Sequence, residues 1–500
     1  MPVLGIDIGT SGSRALLVDE TGVIVASATS AHEPFRSPGP AWAEQDPADW
    51  WRAAQEAVRT VLARGNVAGR DIACIGLSGQ MHGAVLLDEA GDVLRPSIIW
   101  CDQRTAEECQ WLDREVGPAR LLELTSNPAL TNFTLTKLLW VRTHEPDVWK
   151  RVRHVLLPKD YVRYRLSGAF AIDVADASGT LMLDVAKRQW SGEMLKATAI
   201  SPDLLPEVFE SPAVSAHVSA AAAAAMGLVA GTPIVAGAGD QAAGAVGMGI
   251  THPGAVSVTI GTSGVVFAAT ERPALDRKGR IHTFCHAIPG RWHVMGVTQA
   301  AGLSLRWIRD QWQMGSDDAA YERMTAEAAA VPAGSDGVLW APYLMGERTP
   351  HADPNVRAAL VGLAASHTRG HVTRAVMEGV AFSLNDTFGI FEELKVPVTR
   401  VRVGGGGARS ALWREIQAAV YGHPVETVAA EEGAAYGAAI LAGVGAGFWP
   451  SVDAACDRIV RTAGVTHPDP SASGVMRRRY AEYRRIYPAL RDIFPGASPS

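Results

Sequence analysis

The sequence has little cysteine. Five of 500 residues are Cys (Cys74, Cys101, Cys109, Cys285 and Cys456), an odd number with no Cys-x-x-Cys pair. That argues against a disulfide framework and for reduced thiols, so a cytoplasmic protein is expected. Positive charge is not in excess: 46 Lys and Arg stand against 52 Asp and Glu, a net charge of −6. No basic field invites nucleic acid or an anionic membrane. No apolar run reaches spanning length, and the first residues carry no basic leader, so neither a membrane span nor a signal peptide is expected. Two nucleotide motifs are missing as well. GxxxxGK[ST] is absent, and GxGxxG fails around Gly404–Gly407, where the third glycine would fall on Arg409 or Ser410. A dinucleotide-dependent dehydrogenase is thereby disfavoured. The cluster His282–His286 has metal-ligand residue types. A strand there turns His282, Phe284 and His286 to one face and Cys285 to the other, so no metal is expected.

What is present is a repetition. The pentapeptide Ile-Gly-Thr-Ser-Gly occurs at Ile8–Gly12 and again at Ile260–Gly264. Each copy lies between two apolar β-type runs, Val3–Ile8 with Ala15–Val18 and Val256–Ile260 with Val265–Phe267. Each reads as strand, glycine turn, strand. A hairpin repeated in two halves suggests a duplicated domain. Five hundred residues fit two domains of about 250 residues each. Gly247–Gly254 breaks helical patterning before the second hairpin, which sets expected domains of 1–247 and 248–500. Asp46-Pro47 predicts a helix start before Ala48–Arg64, and Ser219 and Gly227 bracket an alanine-rich helix. Further helices are expected over Ala300–Gln313 and Thr368–Phe391. Gly433–Gly443 is expected to be a helix of small residues that lets another backbone approach. Tyr480, Tyr483, Tyr487 and Leu490 recur at helical spacing near the C-terminus.

The chemistry gathers at a few places. A Gly-Thr-Ser-Gly turn presents successive backbone N–H groups, an anion-binding nest, and one copy per domain can grip a polyphosphate from both sides. Asp7 interrupts an apolar strand just before the first turn. A carboxylate there needs a partner, and beside phosphate that partner is Mg²⁺, directly or through water. Gly404–Gly407 follows a strand and opens a helix, a turn on which a flat base can lie close to bare backbone. Asp240 ends the apolar strand of "TPIVAGAGD", where catalytic groups of α/β domains tend to lie. It can accept a proton from an attacking hydroxyl, or it can cap the helix Gln241–Val246. Gln80, Met81 and His82 follow another strand; an amide, an apolar group and an imidazole suit a small polyol. His82 can donate to a hydroxyl or a carbonyl.

Taken together these residues resemble the FGGY carbohydrate kinases, within the actin-like and hexokinase-like ATPase superfamily. The likeness spans the chain. "HVTRAVMEGV" (His371–Val380), "FTLTKLLWV" (Phe133–Val141) and "GERTPH" (Gly346–His351) match family patterns. "SGQMHG", "WAEQDP", "LLPKDYVRYRLSG" and "AGAGDQAAGAVG" look like the branch that phosphorylates D-xylulose. The resemblance implies an α/β fold of duplicated actin-like (ribonuclease H-like) domains with a central cleft. It implies ATP-dependent formation of D-xylulose 5-phosphate, with Mg²⁺, and a homodimer. By matching position, Asp7, Thr10, Ser11 and Arg14 face phosphate and Mg²⁺. Gly261 and Thr262 form the second phosphate loop. Gly405, Gly406 and Gly407, with Gly302 and Arg306, meet the adenosine side. Gln80, Met81, His82, Asp240 and Gln241 meet the sugar, and Asp240 is the base. Gln241 stands where asparagine is usual in that branch, Ser126 and Asn132 where glycine is, and Cys101 where asparagine is. None of these is the proposed base or a phosphate loop. The alternatives are another acceptor (D-ribulose, D-arabinitol, glycerol) or a non-kinase ATPase of the same superfamily.

Overall fold

The structure, a computed structural model, describes residues 1–430 and 433–494. Two seven-stranded sheets carry it. In the first, Val3–Ile8 pairs antiparallel with Gly12–Val18 and parallel with Ile75–Gly79. Ile24–Ala31 extends one side, and Pro233–Val235, Val214–His217 and Ala238–Gly239 extend the other. The second repeats the scheme. Ala255–Ile260 pairs antiparallel with Gly264–Thr270 and parallel with Arg400–Gly405. Trp292–Thr298 and His282–Cys285 lie beyond the hairpin, Val425–Val428 and Thr462–Thr466 beyond Arg400–Gly405. This is the duplicated α/β architecture that the repeated pentapeptide suggested.

Both faces of Val3–Ile8 are covered, which is why it reads as a nearly continuous apolar run. Leu4, Ile6 and Ile8 join the core under the helix Pro47–Gly65. Asp46 caps that helix, accepting from the Ala48 N–H at 2.9 Å, with Pro47 in the first turn. Val3 joins the opposite core with the helices Asp240–Gly247 and Gly433–Gly445. The second of these follows a strand of the second sheet, yet it packs on the first. Its small residues permit that. A Cβ on Gly437 would lie 1.8 Å from the Ala243 carbonyl oxygen, and one on Gly5 would lie 2.2 Å from that of Ala435.

Some elements depart from expectation. The C-terminal pattern is two helices, Pro470–Tyr483 and Ile486–Leu490. Pro488 has no N–H to continue the ladder. Tyr480 donates to Asp386 at 2.6 Å, and the Tyr483 and Tyr343 hydroxyls lie 2.9 Å apart, which docks this segment on the second half. Ser126 has φ of +61°, the left-handed backbone that glycine takes without strain. Among the described residues no helix is long and apolar enough to cross a membrane.

Candidate active site

The register places two carboxylates on either side of one strand. Asp7 lies opposite Ser78 of Ile75–Gly79, and Gly239, just before Asp240, lies opposite Gly79 on the strand's other edge. Two interstrand spacings put the two backbones about 10 Å apart. Ser78 Oγ donates to Asp7 Oδ1 at 2.9 Å. The other Asp7 oxygen accepts nothing from the described residues. Burial raises the Asp7 pKa, and the Ser78 bond and the Arg14 charge pull it back. Burial, then the Asp7 charge, pushes Asp240 up to about 7, against a 3.3 Å hydrogen bond from Gln241 Nε2 to Asp240 Oδ1. Asp240 is the first residue of its helix, and Gly239 is the cap. The carboxylate therefore does not cap the helix.

Both glycine turns close on a hydrogen bond from their first glycine, and in both the carbonyls are tied back. In the first, the Gly9 N–H donates to Gly12 O at 3.0 Å. The carbonyls of the turn point back into the protein. Gly9 O accepts from Gln80 Nε2 (3.3 Å), Thr10 O from Gln45 Nε2 (2.7 Å) and Ser11 O from the His32 N–H (2.9 Å). In the second, the Gly261 N–H donates to Ser263 O at 2.9 Å. Gly261 O accepts from the Gly302 N–H (2.8 Å) and Thr262 O from the Leu303 N–H (3.1 Å). The N–H groups of Thr10 and Ser11, and of Thr262 and Ser263, have no acceptor among the described residues. With the carbonyls tied back, each turn offers bare donors, the condition for holding an anion. Arg14 faces Asp7 across the hairpin and donates from Nε to Thr29 Oγ1 at 3.2 Å.

Behind the second turn lies a cavity of about 920 Å³, lined among others by Gly261, Thr262, Gly302, Arg306, Gly406 and Gly407. It brings together six of the residues expected to hold nucleotide. Gly405 is not on its wall. It has φ of +71°, and a Cβ there would lie 2.5 Å from Ile260 O, so it turns the chain rather than lining the site. Gly302 allows its helix to close on the loop, since a Cβ would meet Gly261 O at 2.4 Å. Tyr321, Arg374 and Trp413 also line the cavity. Their sequence context carries no nucleotide motif, so sequence reasoning passed them over.

The loop after Ile75–Gly79 divides its work. Gln80 is buried and faces the first turn. Its Nε2 donates to Gly9 O and to Gln45 Oε1 (2.9 Å), and Trp50 Nε1 donates to that same oxygen (3.1 Å). Its amide thus supports the phosphate turn. Met81 packs against Gly239 beside Asp240. His82 has φ of +70°, and its Nδ1 lies 2.7 Å from Gly179 O. A carbonyl only accepts, so Nδ1 carries the proton. Burial first, then the Lys137 charge, lowers the His82 pKa to about 3. The ring is neutral, and its Nε2, which has no partner among the described residues, is an acceptor rather than the donor expected from sequence. Trp100 Nε1 donates to Thr10 Oγ1 at 3.0 Å, a contact with no sequence signal. For Mg²⁺, the open oxygen of Asp7 beside bare phosphate donors fits an ion whose remaining ligands are phosphate oxygens and water.

The FGGY family of carbohydrate kinases matches this chain in two parts, its N-terminal domain over residues 2–247 and its C-terminal domain over 256–446. The chain is similar to two proteins of Bacillus subtilis (strain 168). One is a xylulose kinase, 38% identical over 98% of this chain and 97% of that protein. The other is a gluconokinase, 32% identical over 98% and 95%. The crystal structure of xylulose kinase from Rhodospirillum rubrum superposes with a TM-score of 0.92 at 32% identity, covering 99% of this chain and all of that one. With two such turns, the carboxylate pair and these matches, the chain belongs to the FGGY family of carbohydrate kinases.

Proposed function

We propose that the chain transfers the γ-phosphoryl group of ATP to D-xylulose, giving D-xylulose 5-phosphate and ADP, with Asp240 as general base. The observation that carries this reading is Asp240 itself. It is a carboxyl raised to about 7 at the first residue of a helix, next to Asp7 and the first phosphate turn. A base poised near neutrality can both hold and release a proton at working pH. The 5-hydroxyl gives its proton to Asp240 as its oxygen bonds to Pγ, and the bond from Pγ to the ADP oxygen breaks. The free N–H groups of Thr10, Ser11, Thr262 and Ser263 hold the phosphate oxygens, with Arg14 nearby. Mg²⁺ bound with the nucleotide supplies charge neutralisation at the phosphates, and Asp7 would hold it. The cavity around Gly302, Arg306, Gly406 and Gly407 takes the adenosine.

Residues 1–247 supply the sugar loop, the base and the first turn. Residues 248–500 supply the second turn and the adenosine site. Sugar binding closes the cleft between them, which aligns the γ-phosphoryl and excludes water. The contact of Gly437 with Ala243 gives that motion a pivot beside the base. The choice of D-xylulose is supported by the similarity to xylulose kinases, and the gluconokinase at lower identity names the rival acceptor. The test is ADP release with D-xylulose, D-ribulose, D-gluconate, D-arabinitol and glycerol. D-Xylulose is expected to give the highest kcat/KM. A tenfold advantage for any other acceptor overturns the choice of sugar, and full turnover without sugar overturns the kinase reading.

A further inference from the structure

Arg348, within the stretch "GERTPH", has no role in the site described so far. The residues on both sides of it are fastened to the end of the strand Trp292–Thr298. Glu347 accepts from the Gln299 N–H (3.0 Å), from the Arg348 N–H (2.8 Å) and from Thr298 Oγ1. The Thr349 N–H donates to Val297 O (3.0 Å), and Thr349 Oγ1 donates to Arg280 O (2.9 Å). Thr298 pairs with Gly264, the last residue of the second glycine turn. The backbone of Arg348 is thus held at the second half's edge of the cleft.

Its guanidinium is not held. It is partly exposed, and among the described residues it makes no hydrogen bond or ion pair beyond the field of Glu347. The groups that feel its charge are His82 of the sugar loop and His282. These two rings are joined through Phe133, which stands edge-on to both at 5.2 and 5.6 Å. The other cation near His82, Lys137, is turned away to the carbonyls of Asn132 and Phe133. A half-buried cation with five donors and no acceptor among the described residues is open to a ligand that supplies one. His82, which feels that charge, carries its proton on Nδ1, so its Nε2 is a lone-pair acceptor. The guanidinium and this ring therefore offer one donor group and one acceptor. A hydroxymethyl ketone has the complementary pair, a carbonyl oxygen that only accepts and a neighbouring hydroxyl that can donate.

We propose that Arg348 is a further sugar-binding residue. Its guanidinium donates to the C2 carbonyl oxygen of the ketose while His82 Nε2 accepts from the C1 hydroxyl. The two come from different halves of the chain, so the non-reacting end of the sugar bridges the cleft. This rests on the D-xylulose reading and adds the group that makes the site prefer a ketose to the matching alcohol.

The experiment compares kcat and KM for D-xylulose and for D-arabinitol, whose C2 is an alcohol, in wild type, Arg348→Met and Arg348→Lys. Arg348→Met is expected to lower kcat/KM for D-xylulose by roughly 10–100-fold, the range for a hydrogen bond to a charged group. The loss should appear mainly in sugar KM, with the D-arabinitol value, the ATP KM and the melting temperature little changed. Arg348→Lys should restore part of the preference. Equal losses on both substrates, or a loss carried by ATP KM, would overturn the assignment. A wild type that prefers D-arabinitol overturns the D-xylulose reading and this assignment with it. A wild type that prefers D-xylulose, with both variants keeping that preference, overturns the role of Arg348 alone.

Discussion

The charge of Asp7 raises the pKa of Asp240 across the strand Ile75–Gly79, which separates them. Burial raises the Asp240 pKa first, and the carboxylate beside the phosphate turn adds to that rise. This division of labour makes the substitutions of the two residues separable.

Asp240→Asn removes the proton acceptor and keeps the shape. It is expected to lower kcat by roughly 10²–10⁴-fold, the range for a positioned acid–base group, with sugar and ATP KM changed far less. Steady-state kinetics on both substrates decide it. A kcat within a few-fold of wild type would leave Asp240 as a structural residue at the start of its helix.

The base acts in its ionised form. Activity should therefore rise with pH as Asp240 loses its proton, giving kcat/KM for the sugar an acidic limb near 7. Gln241 donates to the Asp240 carboxylate and so favours the ionised form. Gln241→Ala should move the limb to higher pH. A pH profile in which the variant's limb stays put, or moves down, contradicts the hydrogen bond's proposed role.

Asp7→Ala is expected to abolish most turnover at every Mg²⁺ concentration while sugar affinity stays near normal. Asp7 lies on the phosphate hairpin, and its second oxygen is the one that would hold the metal. Calorimetry with sugar alone, beside assays over a Mg²⁺ series, separates the two functions. Lost sugar affinity with intact use of MgATP is the opposite result.

Gly302→Ala places a methyl group 2.4 Å from Gly261 O and must push the second glycine turn aside. ATP KM should rise while sugar KM holds, and the protein should lose about 1–3 kcal/mol of stability from the overpacking. Kinetics with ATP varied, together with thermal unfolding, read both effects. An unchanged ATP KM would mean that the turn does not hold phosphate.

Much of this was legible in the sequence because the informative residues are local. A repeated Ile-Gly-Thr-Ser-Gly between apolar runs specifies its hairpin from within a dozen residues. Asp7 and Asp240 stand out because one interrupts an apolar strand and the other follows one. The expectations that shifted depend on contacts between residues far apart in the chain. Gln80 follows its strand just as a substrate contact would, and only the fold brings its amide against Gly9 and Gln45. The tautomer of His82 is set by Gly179, 97 positions away. The helix Gly433–Gly445 announces close packing through its glycines and alanines, but nothing in it says that the surface it meets is the first sheet. Arg348 lies in a stretch, "GERTPH", that is visible as a motif. That its guanidinium has no partner among the described residues is a property of the folded chain.

The central claim is that the sugar's terminal hydroxyl takes the γ-phosphoryl of ATP in a reaction that needs Asp240. The most direct measurement is phosphorus NMR of the products from ATP, Mg²⁺ and D-xylulose, run with wild type and with Asp240→Asn. The expected result is one phosphate ester at C5 of the sugar for each ADP formed, slowed to a trace in the variant. Inorganic phosphate in place of the ester, or an ester formed as fast without Asp240, would contradict the account.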